Sequence, residues 1–156
     1  MARFSRSQVW STMEELGLVP LFYEADVEVA KNLAMAISAG GGKVIEFTNR
    51  GDRAFEVFRE LVVYLEKEDP SVVLGVGSVL DPATAGLYIN LGANFIVGSV
   101  LNPDVAKICN RRKIAYFPGC GSASEVSAAE ELGVGICKVF PGSELGGPSF
   151  VKAIKA

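Results

Sequence analysis

Short runs rich in β-branched and aromatic residues recur along the chain, and a segment with apolar positions at helical spacing follows each of them. The runs are Leu18 to Tyr23, Lys43 to Phe47, Val72 to Val76, Phe95 to Val97, Ile114 to Phe117 and Ile136 to Phe140. They begin about 20 to 30 residues apart, the repeat of a strand-helix unit. Val27 to Ala39, Arg53 to Glu68, Pro82 to Leu91, Pro103 to Arg111 and Ser124 to Leu132 read as amphipathic helices, and Pro148 to Ala156 as a helix-like tail. Asp26, Asp81, Asn102 and Ser124 are candidate N-caps, with Pro82 and Pro103 in the first turn. Glycine follows the last helical turn at Ala39-Gly40-Gly41-Gly42, Leu91-Gly92-Ala93 and Leu132-Gly133-Val134, where a left-handed residue ends a helix.

Strands that alternate strictly with helices must pair in parallel through right-handed crossovers. Two architectures meet that condition, a doubly wound open sheet and a (β/α) barrel, and periodicity does not separate them. Six units are visible, two short of an eightfold barrel. No linker or low-complexity tract divides residues 1–156, so one α/β domain is expected.

Composition narrows the chemistry. A net charge of -3, with basic residues scattered apart from Arg111-Arg112-Lys113, argues against a nucleic-acid surface. No signal-like run or stretch of roughly 18 apolar residues appears, which predicts a cytoplasmic protein with no membrane partner. Cys109, Cys120 and Cys137 form neither a disulfide framework nor a metal pair at short spacing. With no histidine in the chain, the commonest general base and zinc ligand are missing, so chemistry must run on carboxylates, lysine, cysteine or tyrosine.

Both architectures place their sites at the carboxyl ends of the strands. In Val44-Ile45-Glu46-Phe47-Thr48-Asn49-Arg50, alternation puts Glu46 and Arg50 on one face, either as a structural ion pair or as functional groups. Lys138 interrupts the apolar run from Ile136 to Phe140. A charged amine is costly to bury there, which favours its neutral, nucleophilic form; the alternative is a surface lysine that snorkels. Ser78 ends the third strand on the face of Val76. Gly75-Val76-Gly77 and Gly119-Cys120-Gly121 read most simply as tight turns. Cys120 lacks an activating histidine.

Four segments together resemble a known family. Val44 to Arg50, Gly75-Val76-Gly77-Ser78-Val79-Leu80, Phe117-Pro118-Gly119 and Lys138-Val139-Phe140-Pro141-Gly142 are similar, in order and approximate spacing, to the 2-keto-3-deoxy-6-phosphogluconate (KDPG) aldolases, which often also cleave 4-hydroxy-2-oxoglutarate (KHG). The resemblance implies a (β/α)8 barrel of the TIM type, a homotrimer, and a class I aldolase that acts on a small 2-keto acid with no metal or other cofactor. It further implies that Lys138 forms the imine, Glu46 shuttles protons, Arg50 clamps the carboxylate, Ser78 stands in a common threonine position and Phe140 walls the pocket. Tyr23 and Ser99 stand where the family often has arginine and proline. The last two βα units, with the family's phosphate loops, are expected to be missing. Two further readings follow: a Schiff-base aldolase for a non-phosphorylated 2-keto acid, and an inactive barrel fragment serving as an assembly subunit.

Overall fold

The computed structural model describes residues 2–155 and decides between sheet and barrel. Strands β1 (Leu21–Phe22), β2 (Val44–Thr48), β3 (Val73–Gly77), β4 (Phe95–Val97) and β5 (Ala115–Phe117) pair in parallel, in the order in which the chain makes them. A doubly wound sheet reverses its strand order at a switch point. Here each strand joins the outer edge of the one before, as the wall of a barrel does.

The fifth expected strand forms as β5 and stops before Pro118, which has no N–H to give to a ladder. On one side of this stretch β5 pairs with β4; beyond Pro118, β6 (Gly119–Cys120) pairs with β7 (Lys138–Val139). The backbone N–H of Lys138 donates to the Pro118 carbonyl at 2.9 Å, so the wall continues across the break. Among the described residues β1 pairs with β2 alone and β7 with β6 alone, which leaves the wall open between them.

Alternation along the strands builds two cores. Ile45, Phe47, Leu74, Val76, Ile96 and Tyr116 point outward and pack beneath the helices. Val44, Val73, Phe95, Val97, Ala115 and Phe117 point inward and form a second cluster. Every residue of β2 and β3 is buried, as parallel strands covered on both faces should be.

The helices that cover the wall are α2 (Val27–Ala39), α3 (Ala54–Glu68), α4 (Pro82–Leu91), α5 (Pro103–Arg112) and α6 (Ala123–Glu131). Asp26, Asp81 and Asn102 cap α2, α4 and α5 as expected, each accepting from first-turn N–H groups. The cap of α6 is Ser122 rather than Ser124, because the Ser122 hydroxyl is the one that reaches the Glu125 N–H. Gly92 (φ +106°) and Gly133 (φ +79°) take the left-handed conformation expected after α4 and α6, whereas after α2 it is Gly41, not Gly40, that does so.

Helix α1 (Arg6–Leu16), preceding β1, has no counterpart in the sequence reading. Ser5 and Gln8 form a capping box at its start and left-handed Gly17 ends it. Its residue Val9 is fully buried in the inner cluster, joined there by Trp10 and Met13, so the helix plugs one end of the wall. Helix α7 (Pro148–Ile154) realises the expected tail; Ala156 lies outside the described residues. No helix among the described residues is long and apolar enough to cross a membrane.

Candidate active site

Glu46 lies in the middle of β2 between inward-facing Val44 and Thr48, and only 5 % of it is exposed. Room for its carboxylate comes from the next strand. A Cβ on Gly77 of β3 would fall 1.8 Å from Glu46 Oε1, so only a residue without a side chain leaves that slot open. Gly75 clears the neighbouring space in the same way, for the ring of Phe95. The pair Gly75 and Gly77 is therefore not the tight turn that the sequence suggested. Both residues are in a strand, and their missing side chains hollow out the interior.

Lys138 enters that hollow from β7. Cys137 packs with the helix layer, so alternation turns Lys138 inward, where its side chain is 31 % exposed. Its Nζ lies 3.7 Å from Glu46 Oε1 and 5.4 Å from the centre of the Phe140 ring. A cavity of about 220 Å³ adjoins the pair, and its other walls include Met13, Leu21, Phe95, Phe117 and Ile136. Burial raises the Glu46 pKa above the usual carboxylate range, and the charges of Lys138 and Arg50 oppose that rise. A carboxyl whose pKa is raised by burial and which stands beside an amine is suited to giving and taking protons at that point.

Arg50 and Ser78 meet at the mouth. Arg50 lies beyond the end of β2, and its Nε donates to Ser78 Oγ at 3.4 Å. Ser78 does not stay on the face of Val76, because its backbone is left-handed (φ +61°) and the alternation ends with β3. Among the described residues the ion-pair partner of Glu46 is Lys138, not Arg50. Phe140 is 38 % exposed and, with Ser99, Gly119, Glu125 and Pro141, lines a second hollow of about 470 Å³. The Tyr23 side chain runs from the end of β1 to Gly51, where a Cβ would meet its hydroxyl.

Other features are structural. Gly119 and Cys120 belong to β6, not to a turn, and burial pushes the Cys120 thiol up to about 12, which removes it as a nucleophile at ordinary pH. Arg111 and Arg112 close the last turn of α5, where positive charge complements the helix dipole. No cluster of three or more Cys, Asp and Glu side chains suited to a metal ion occurs among the described residues.

The sequence reading missed Gly77 as the residue that makes room for Glu46, and it missed the pairing of buried Tyr88 with half-buried Asn49. Alternation alone aligns an inward glycine with an inward carboxylate, which is a usable signal once the order of β2 and β3 is known. No local pattern announces a hydroxyl on α4 that reaches the end of β2.

The family model described as KDPG and KHG aldolase matches residues 9–156. The 2-dehydro-3-deoxy-phosphogluconate aldolase of Treponema pallidum is 32% identical over 146 residues, a match covering 94% of this chain and 68% of that protein. The KHG/KDPG aldolase of Escherichia coli K12 is 31% identical over 152 residues, with the same two coverages of 94% and 68%. Among solved structures, the 2-keto-3-deoxy-6-phosphogluconate aldolase of Zymomonas mobilis superposes with a TM-score of 0.78 at 32% identity, covering 87% of this chain and 63% of that one. KDPG aldolase from Legionella pneumophila, with pyruvate captured as a covalent carbinolamine intermediate, superposes with a TM-score of 0.80 at 28% identity, covering 88% and 65%. The chain thus spans about two thirds of the length of the relatives it matches. With parallel strands in barrel order and a family model that runs over nearly its whole length, the chain belongs to the KDPG and KHG aldolase family and has the α/β fold of the TIM-barrel type.

Proposed function

We propose that the protein is a class I aldolase that cleaves 2-keto-3-deoxy-6-phosphogluconate to pyruvate and glyceraldehyde 3-phosphate, and 4-hydroxy-2-oxoglutarate to pyruvate and glyoxylate. The observation that carries this reading is the inward lysine 3.7 Å from a buried carboxyl whose pKa is raised. Neutral Lys138 attacks the keto carbon to give a carbinolamine, and Glu46 donates the proton with which the hydroxyl leaves as water. The protonated imine then acts as an electron sink. Glu46, now a carboxylate, takes the proton of the C4 hydroxyl, and the C3–C4 bonding pair moves toward the imine nitrogen. The aldehyde leaves and an enamine remains. Glu46 returns its proton to C3, and water hydrolyses the imine to free pyruvate and Lys138.

Arg50 is the group that receives the substrate carboxylate, with Ser78 holding its Nε, and Phe140 walls the site beside the amine. The imine does the polarising, so this path needs no metal. Pyruvate held as a carbinolamine in the Legionella pneumophila relative is the first covalent species on the same path and supports it. In this reading three copies associate, and the exposed Val29, Phe55 and Leu87 offer apolar surface on the helix layer for that contact.

One observation favours a second substrate class. Tyr23 places an uncharged phenol at the mouth, which suits a non-phosphorylated 2-keto acid; the ratio of turnover on the two substrates decides between them. The chemistry itself is tested by borohydride reduction in the presence of pyruvate. Mass spectrometry should find a reduced pyruvyl adduct on Lys138, and Lys138→Arg should abolish it, because guanidinium is not a comparable nucleophile. Turnover by the Lys138→Arg variant would refute the imine.

A further inference from the structure

Tyr88 of α4 is 1 % exposed and lies in the helix layer, outside the catalytic hollow. Its ring stands edge-on to Phe58 with centroids 5.1 Å apart, which fixes the direction of its hydroxyl. That hydroxyl donates to Asn49 Oδ1 at 2.8 Å. A buried phenol needs a partner wherever it lies; what distinguishes this one is the location of its partner. Asn49 is the first residue past β2 and the immediate neighbour of Arg50.

At that point the chain is leaving the sheet. The Asn49 N–H makes one last bond to β3, donating to the Gly77 carbonyl at 2.9 Å, and the Arg50 N–H turns back to the Thr48 carbonyl at 2.9 Å. Among the described residues no ladder bond holds Arg50 beyond this, and its side chain bonds only Ser78, at 3.4 Å. With its backbone held in that tight turn and the Asn49 side chain tied outward to α4, the following residue Arg50 leaves on the side of Ser78, at the mouth. Burial pushes the Tyr88 phenol up to about 12, so it remains a donor throughout the ordinary pH range.

The geometry points to Tyr88 as a positioning residue that, through Asn49, sets the direction of Arg50 and so tunes the affinity of the site for the carboxylate of a 2-keto acid. This inference rests on the proposed role of Arg50 as the carboxylate clamp. It assigns specificity for carboxylate-bearing ketones partly to a side chain on the covering helix that never touches substrate.

The test uses the full chain, borohydride trapping at Lys138, and two ketones, pyruvate and acetone. Acetone has no carboxylate and makes no demand on Arg50. Tyr88→Phe keeps the ring and removes the donor. Loss of one neutral hydrogen bond should raise the half-saturating pyruvate concentration about threefold to tenfold, with the trapping rate at saturation and the acetone reaction unchanged. Asn49→Ala should shift pyruvate in the same way, and the double variant should weaken it no further than either single change, because both delete one contact. Asn49→Ala alone carries the test if Tyr88→Phe does not fold. An unaltered pyruvate curve, or equal weakening with pyruvate and acetone, overturns the role of Tyr88 while leaving the Schiff-base reading in place. Absence of any adduct on the unsubstituted chain with either ketone overturns that reading, and the positioning role with it.

Discussion

In the proposed mechanism Glu46 concentrates the chemistry in one side chain: its carboxyl donates a proton while water leaves and accepts one as the C3–C4 bond breaks, and a pKa raised by burial suits both tasks. The sign of the shift sets the pH dependence. Protonated Glu46 persists to higher pH than an ordinary carboxyl, so the base form is lost, and turnover falls, as pH drops through that raised value. The acid limb of the rate profile should lie above the usual carboxylate range and disappear in Glu46→Gln. That variant should still trap pyruvate on Lys138 while turning over about 100-fold to 10,000-fold more slowly, the usual worth of a positioned acid-base group. Failure of Glu46→Gln to form the adduct even at long times would make Glu46 a structural partner of the lysine instead. Gly77 invites a contrast with Gly75. Gly77→Ala must displace the Glu46 carboxylate, whereas Gly75→Ala strikes the Phe95 ring. Both should cost stability by overpacking, about 1–3 kcal/mol in urea denaturation. Gly77→Ala alone should also abolish the raised acid limb.

At the level of elements, strand ends and helix caps do most of the placing. Ser38 of α2, Lys43 just before β2 and Asp69 at the end of α3 meet in one cluster, in which Lys43 Nζ lies 2.8 Å from Asp69 Oδ2 and the Ser38 and Ser71 hydroxyls also donate to the carboxylate. These donors hold the Asp69 carboxyl far below the usual carboxylate range. A depressed acid contributes stability at pH above its unfolded value and loses that contribution as pH falls through the folded one. The urea midpoint of the unsubstituted chain should therefore decline on acidification more steeply than that of Asp69→Asn, and parallel curves would refute the coupling.

Across the whole molecule, the order of strands explains why the site lies where it does. Glu46 and Lys138 are 92 positions apart in the chain, yet a wall that curves through β2 to β7 brings them to one interior. Among the described residues the wall is open between β1 and β7, and the half-exposed Leu21 stands at that edge. Unpaired parallel edges favour association, as does the apolar surface on α2, α3 and α4. Light scattering should give the mass of three chains at micromolar concentration; a monomer that still turned over substrate would show that the site needs no second copy.

Much of this was legible before any coordinates. The helices Val27–Ala39 and Pro82–Leu91 fall where their apolar spacing and caps put them, since those signals act within a few residues. The four family-like segments were readable in the same way, and they mark Glu46, Arg50, Ser78 and Lys138. Helix α1 went unread although Ser5, Gln8 and Gly17 bracket it; Val9 is its one fully buried residue. Periodicity left sheet and barrel equally open, since both use the same unit. Strand order, which depends on long-range pairing, separates them. The slot that Gly77 leaves for Glu46 and the reach of Tyr88 to Asn49 belong to contacts between elements far apart in sequence. Local patterning selects the units and which face of each is apolar; only packing determines which side chains then meet.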